Sequence, residues 1–249
     1  MKSIALLFLT LFTGNLLSQD DLAHRIMVAV TDIMSPTNVY SVGSQTITTS
    51  SGKARTFEME SWSANKGEKT LTRYTKPAAI RGQAFLMLNN ADDIWTYFPR
   101  TKRVRKLASH AKKQKVQGSD FTYEDMGGGD AFLVKFESAY VGKEDLEGTS
   151  CHKIELTGIP SEDPPYPKMV LWARESDSFP LVIEYYNDKN LNHKTLTLSD
   201  IQTIENFPTA MTMVMTNNLE RSSTLMQTLE TTYSWEPPKD FFSQRSLKK

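Results

Sequence analysis

From residue 39 to residue 234 this chain is a succession of short segments rich in Thr, Val and aromatic side chains, each closed by turn-forming residues. No other feature constrains the fold as strongly. Residues 39–48 and 54–62 are joined by Ser50-Ser51-Gly52-Lys53, and residues 63–68 turn the chain into 69–74. Segments 83–88 and 94–98 flank Asn89-Asn90-Ala91-Asp92-Asp93, and residues 99–102 lead into 103–108. The second half repeats the pattern at 131–141, 151–157, 169–173, 181–187, 193–204, 209–216 and 222–234. A loop with four prolines, residues 160–167, lies in between. Connections of hairpin length make sequential strands antiparallel. About eleven strands at such regular spacing predict a mainly β sandwich or barrel. No linker or low-complexity stretch divides the chain, so residues 19–249 are expected to form one domain.

One helix precedes the strands. Asp20 and Asp21 suit a helix N-terminus, and Leu22, Ile26, Ala29, Val30 and Ile33 recur at helical spacing until Ser35-Pro36. Before it, Lys2 and the apolar run 4–12, broken by Gly14 and Asn15, read as a signal peptide of residues 1–18, cleaved after Ser18. The run is too short to span a bilayer. Cys151 is the sole cysteine, so no internal disulfide forms and no thiol near the cleavage site is available for lipidation. These features predict an exported bacterial protein, soluble in the periplasm and monomeric. Lys and Arg total 29, as do Asp and Glu, so no global field draws the chain to nucleic acid.

Motifs for chemistry are scarce. The four histidines have no metal-ligand spacing. His152 adjoins Cys151, but neighbours in a strand point to opposite faces, which predicts a thiol toward the core and an imidazole toward water. No nucleophile elbow, zinc-protease, P-loop or dinucleotide signature occurs, and no cofactor is expected. Gly127-Gly128-Gly129 reads as a flexible joint. Asp120, Glu124 and Asp125 allow a hydrolase reading, but Ser119 or Asp120 capping a single helical turn, anchored by Phe121 and Tyr123, explains the same residues. No catalytic or metal-binding residue is assigned.

Two surfaces suggest binding. Eight of the sixteen residues from 100 to 115 are basic. Alternation through Arg103, Val104, Arg105 and Lys106 predicts a strand with a solvated basic face. It serves either as an edge that blocks aggregation or as contact with acidic lipid headgroups or an acidic partner. Arg100, Lys102, Arg105 and Lys106 are the docking candidates. The strands also carry large, soft side chains. Phe85, Met87, Trp95, Tyr97, Met169 and Leu171, with Met211, Met213 and Met215, are candidates to line an apolar hollow if a helix lies across a curved sheet. An ordinary core accounts for them equally well.

The stretches YTKPAAIRGQAFLML, DIWTYFPRTKRVRKL and GSDFTYEDM, followed by EGTSCHKIEL, PLVIEYYN and TTYSWEPPKDFF, resemble the LolA-like outer-membrane lipoprotein-sorting proteins. They are closest to the branch associated with exporters of the resistance-nodulation-division type. The motif positions are Pro77, Arg81, Gly82, Trp95, Tyr97, Pro99 and Arg103, then Gly118, Ser119, Asp120 and Phe121. The resemblance implies a curved antiparallel half-barrel with helical lid segments over a hydrophobic cavity. It also implies non-catalytic binding of lipoprotein acyl chains or another amphiphile, with an inner-membrane exporter and an outer-membrane acceptor as partners. A non-carrying accessory module docked on an exporter is the alternative. Arg81 and Asp120 are candidates for a charged pair joining two of the motifs.

Overall fold

A computed structural model describes residues 19–127 and 130–248; the expected signal peptide, residues 1–18, lies outside them. The helix predicted at the start is α1 (Gln19–Met34), with Asp20 and Asp21 favourably placed in its first turn. Its buried stripe is Ala23, Ile26, Met27 and Val30, with Leu22 and Ile33 half-buried. Ala23 and Met27, outside the expected pattern, join the stripe, while Ala29 is only half-buried.

The strands are β1 (Asn38–Thr48), β2 (Ala54–Ala64), β3 (Lys69–Lys76), β4 (Ala84–Leu88), β5 (Asp93–Phe98) and β6 (Arg103–Lys106) in the first half. The second half contributes β7 (Phe136–Leu146), β8 (Thr149–Gly158), β9 (Lys168–Arg174), β10 (Pro180–Tyr186), β11 (Asn192–Ile204), β12 (Phe207–Asn217) and β13 (Ser222–Thr232). All thirteen join one antiparallel sheet in the order β6-β5-β4-β3-β2-β1-β13-β12-β11-β10-β9-β8-β7. That is two more than the expected count. The sheet curves but does not close, because β6 and β7 remain as separate edges. Every pairing joins sequence neighbours except the one at the centre, between β1 and β13.

This order requires the segment from Leu107 to Lys135 to travel from one edge to the other, and it does so across the inner face. Its described residues carry two short α-helices, α2 (Tyr123–Met126) and α3 (Ala131–Val134). The segment expected to be a strand from residue 131 therefore begins as a helical turn. Over β1–β5 the inner face buries Ile47, Phe57, Tyr74, Phe85, Met87 and Ile94 beneath Val116 and Tyr123. Over β8–β12 it buries Ile154, Leu171, Ile183, Leu196 and Met215 beneath α1 and Phe121.

The outer face is also partly covered. Leu71, Ala84 and Leu86 pack with Trp62, Trp95, Tyr97, Phe241 and Phe242 around a fully buried Leu247. Arg73 Nη2 donates to the Ser246 carbonyl at 2.7 Å, and its guanidinium lies 5.4 Å from the Trp62 ring. Residues 243–248, mostly polar in sequence, are thus a strap on the outside of the sheet.

Candidate functional site

The stretch from Gly118 to Met126 fastens the crossing segment to the sheet. Asp120 is almost fully buried. Its backbone N–H donates to Thr224 Oγ1 at 2.9 Å, and its carboxylate accepts from Ser222 Oγ at 2.6 Å and Thr224 Oγ1 at 2.8 Å, both on β13. Ser119 Oγ donates to the Phe121 carbonyl instead of capping a helix. The cap of α2 is Thr122: its Oγ1 accepts from the Asp125 N–H at 3.0 Å, while Asp125 Oδ2 accepts from the Thr122 N–H at 2.8 Å. This reciprocal pair corrects the assignment of the cap to Ser119 or Asp120. Past α2, Gly127 lies so close to the turn after β4 that an added Cβ would stand 2.5 Å from Ala91 Cβ. Its role is close approach rather than the flexible joint expected; Gly128 and Gly129 lie outside the described residues.

Asp125 also reaches inward. Its Oδ1 accepts from Tyr166 Oη at 2.7 Å, and Lys194 Nζ lies 3.2 Å from its Oδ2 and 3.1 Å from Tyr166 Oη. Burial, reinforced by the Asp125 carboxylate, pushes the Tyr166 hydroxyl far above the ordinary tyrosine range, so it remains a donor. Tyr185, 4.7 Å from Tyr166 between ring centroids, is raised by the same two causes. The triad ties α2 to the proline loop and to β11.

Beside it opens a cavity of about 580 Å³. Its apolar walls are Phe121 and Met126 from the crossing segment, Phe132 on α3, Phe136 on β7, and Met169, Leu196 and Met215 on the sheet. Met34 at the end of α1 closes one side. The rim is ionic. Lys112 Nζ lies 3.1 Å from Asp163, 3.8 Å from Glu124 and 3.8 Å from Asp92, and Lys135 Nζ lies 3.1 Å from Glu124. Hydrogen bonds from Lys112 and Lys113 hold the Asp163 carboxyl below the usual aspartate range. Apolar walls under a charged rim suit an amphiphile whose polar end stays at the mouth.

The residues singled out in the sequence fall into separate places. Met169 and Met215 stand on the cavity wall. Leu171 and Met213 pack in the core beneath α1, and Phe85 and Met87 are sealed under Val116 and Tyr123. Trp95 and Tyr97 do not face the interior: they point outward under the strap, while Ile94 and Thr96 occupy the inner side. On β12, Met211 stands opposite Asp200, whose left-handed backbone (φ 51°) interrupts the alternation, and Ile201 and Ala210 pack inward instead. Arg81 does not meet Asp120. It donates its Nε to the Thr75 carbonyl at 3.1 Å, and the cation nearest Asp120 is Lys115, at 3.9 Å. Cys151 is buried as expected, but among Val170 and Trp172 on the outer face; His152 is half-buried rather than turned to water and meets the ring of Tyr140, which packs toward the interior, edge-on at 5.7 Å. Arg100, Lys102, Arg103, Arg105 and Lys106 are exposed at one edge. Among the described residues, no group of three or more His, Cys, Asp or Glu is arranged to hold a metal ion.

Sequence reasoning missed Tyr166 and Lys194. Lys194 shares its side of β11 with Leu196 and Leu198, and a lysine on an apolar stripe was the available signal.

The fold has solved counterparts. A DUF1329 family protein from Desulfovibrio piger superposes with a TM-score of 0.84 at 22% identity, covering 93% of this chain and 100% of that one. A putative outer membrane lipoprotein-sorting protein domain from Vibrio parahaemolyticus gives 0.80 at 24% identity, covering 92% and 100%. A LolA superfamily protein from Nitrosomonas europaea gives 0.74 at 20% identity, covering 90% and 98%. No curated protein matches the sequence. A family model described as "Uncharacterized protein" matches residues 66–249. The chain belongs to that family, and its fold is the one shared with lipoprotein-sorting proteins of the LolA superfamily.

Proposed function

We propose that this chain is a periplasmic carrier that shelters the acyl chain of a lipoprotein, or the tail of another amphiphile, in the cavity between α2, α3 and the sheet. The observation that carries this reading is the apolar hollow of about 580 Å³ under an ionic rim. Its size falls within the range of small-molecule sites, roughly 300–1,000 Å³. Each sheltered methylene contributes about 0.8 kcal/mol, so an apolar pocket holds a lipid tail without a covalent bond or a cofactor. Release needs only that the rim ion pairs open and a better acceptor stand nearby. An inner-membrane exporter and an outer-membrane acceptor are the partners this cycle calls for, with residues 1–18 as the export signal and residues 19–249 as one carrier domain.

The test is uptake of a fluorescent fatty acid, with native mass spectrometry of protein drawn from its own periplasm. Ala131→Trp, on the cavity wall and half-buried, should abolish uptake while leaving the melting temperature unchanged. Absence of any copurified amphiphile together with no uptake by the unaltered protein would reject the carrier reading.

The filled inner face over β1–β5, where Tyr74, Phe85 and Met87 are fully packed, favours a second reading. In it the chain is an accessory module that docks on an exporter and carries nothing. Unchanged export in cells carrying Ala131→Trp would favour that reading.

A further inference from the structure

At one end of the sheet the loops that follow β3 and β5 press together. Gly82 adopts a left-handed conformation (φ 79°), donates its N–H to the Tyr74 carbonyl at 2.8 Å, and lies where a Cβ would stand 3.3 Å from Pro99 Cγ. A side chain there would be strained and would push the second loop away. Between the two loops runs a groove of about 530 Å³ lined by Arg81, Arg100 and Arg105, with Ile80 and the exposed Phe98 beside them. The bond from Arg81 Nε to Thr75 orients that guanidinium.

Most lysines of this basic region are paired with carboxylates. Lys106 pairs with Asp93 at 2.5 Å, Lys112 and Lys113 pair with Asp163 at 3.1 and 3.2 Å, and Lys115 pairs with Glu220. Among the described residues, no carboxylate pairs with Arg81, Arg100 or Arg105. Four of the five lysines from 100 to 115 are paired within the fold; Lys102, like Arg103, is exposed without a carboxylate partner among the described residues but lies outside the groove, and the three arginines of the groove are left facing outward together.

We infer that this groove binds the phosphate group of an anionic phospholipid headgroup at a membrane surface. A guanidinium offers a planar fork that fits phosphate oxygens bidentately, and several of them can surround one phosphate. Phe98 and Ile80 supply the apolar flank that a soluble phosphate does not need and a lipid glycerol backbone does. The groove is formed by other loops than the cavity, so the inference stands whether or not the interior carries a tail.

Flotation with vesicles of phosphatidylcholine, alone or mixed with phosphatidylglycerol, tests it. The unaltered protein should float with the mixed vesicles only, and more weakly as salt rises. Each arginine is worth about fivefold at an anionic surface, so R81Q/R100Q/R105Q should lose about a hundredfold in partitioning. R103Q, K102Q and K106Q combined remove equal charge outside the groove and should lose much less. Equal losses in the two triple variants, or no flotation of the unaltered protein, would overturn the inference. So would competition by millimolar glycerol phosphate that strips the protein from vesicles completely, since it would make the ligand a soluble phosphoester. All six side chains are exposed, and unchanged melting curves confirm that the variants fold.

Discussion

Lys194 Nζ lies 3.2 Å from Asp125 Oδ2, with the two side chains only 3% and 4% exposed. The pair is satisfied on both sides, by Tyr166 and by the cap of α2, so it behaves as a rivet between α2 and the sheet. Removing one charge strands the other in an apolar setting. Lys194→Met is expected to destabilise the protein by about 3–5 kcal/mol, and adding Asp125→Asn to it should cost less than the sum of the single changes. Urea unfolding of the four proteins measures both. Additive losses would show that the two groups act independently.

Asp120 makes the second fastening. Asp120→Ala removes an acceptor from two hydroxyls and the carboxylate that anchors the crossing segment to β13. The expected loss is about 2–3 kcal/mol. Amide exchange over residues 108–127 should quicken far more than exchange over β8–β10. Uniform quickening across the sheet would contradict a local fastening.

The outer strap leads to a third expectation. Leu247→Ala empties a fully buried site and should cost about 2–5 kcal/mol. Deleting residues 241–248 uncovers Trp62, Trp95 and Tyr97, so binding of a hydrophobic dye should rise. A truncated chain that melts like the full one would show that the strap contributes no stability.

Acid should loosen the second half of the sheet. Burial holds the imidazoles of His152 and His193 below the ordinary histidine value, and for His193 the neighbouring Lys194 adds to the effect. Depressed folded values mean that the unfolded chain takes up more protons. Stability from these groups is therefore full above the unfolded value of about 6.5 and is lost as pH falls through the folded values. The melting temperature should drop between neutral pH and pH about 5, and H152Q/H193Q should flatten that drop. An unchanged slope in the double variant would assign the acid sensitivity elsewhere.

The strands were legible because turn clusters interrupt them at regular intervals, and α1 because its stripe keeps helical spacing. Which face of β5 points inward was not legible. Trp95 and Tyr97 are bulkier than Ile94 and Thr96, yet the larger pair lies outside, because a segment more than a hundred residues later covers it. Periodicity within a strand cannot announce such a distant cover. The cap of α2 was readable: Thr122-x-x-Asp125 has capping-box spacing. The Lys194–Asp125 pair joins residues 69 apart, and no local pattern encodes it.

The pairing of β1 with β13 gives the sheet a seam of very different character from its other joints. Each arm, β1–β6 and β7–β13, can zip hairpin by hairpin from contacts near in sequence. The seam must instead bring together positions such as Tyr40 and Thr231, 191 residues apart. Closing so long a loop is the slow step in assembling such a topology. The two arms are accordingly expected to collapse early and wait for their junction, so the rate at which the molecule matures is set at its middle rather than at either rim.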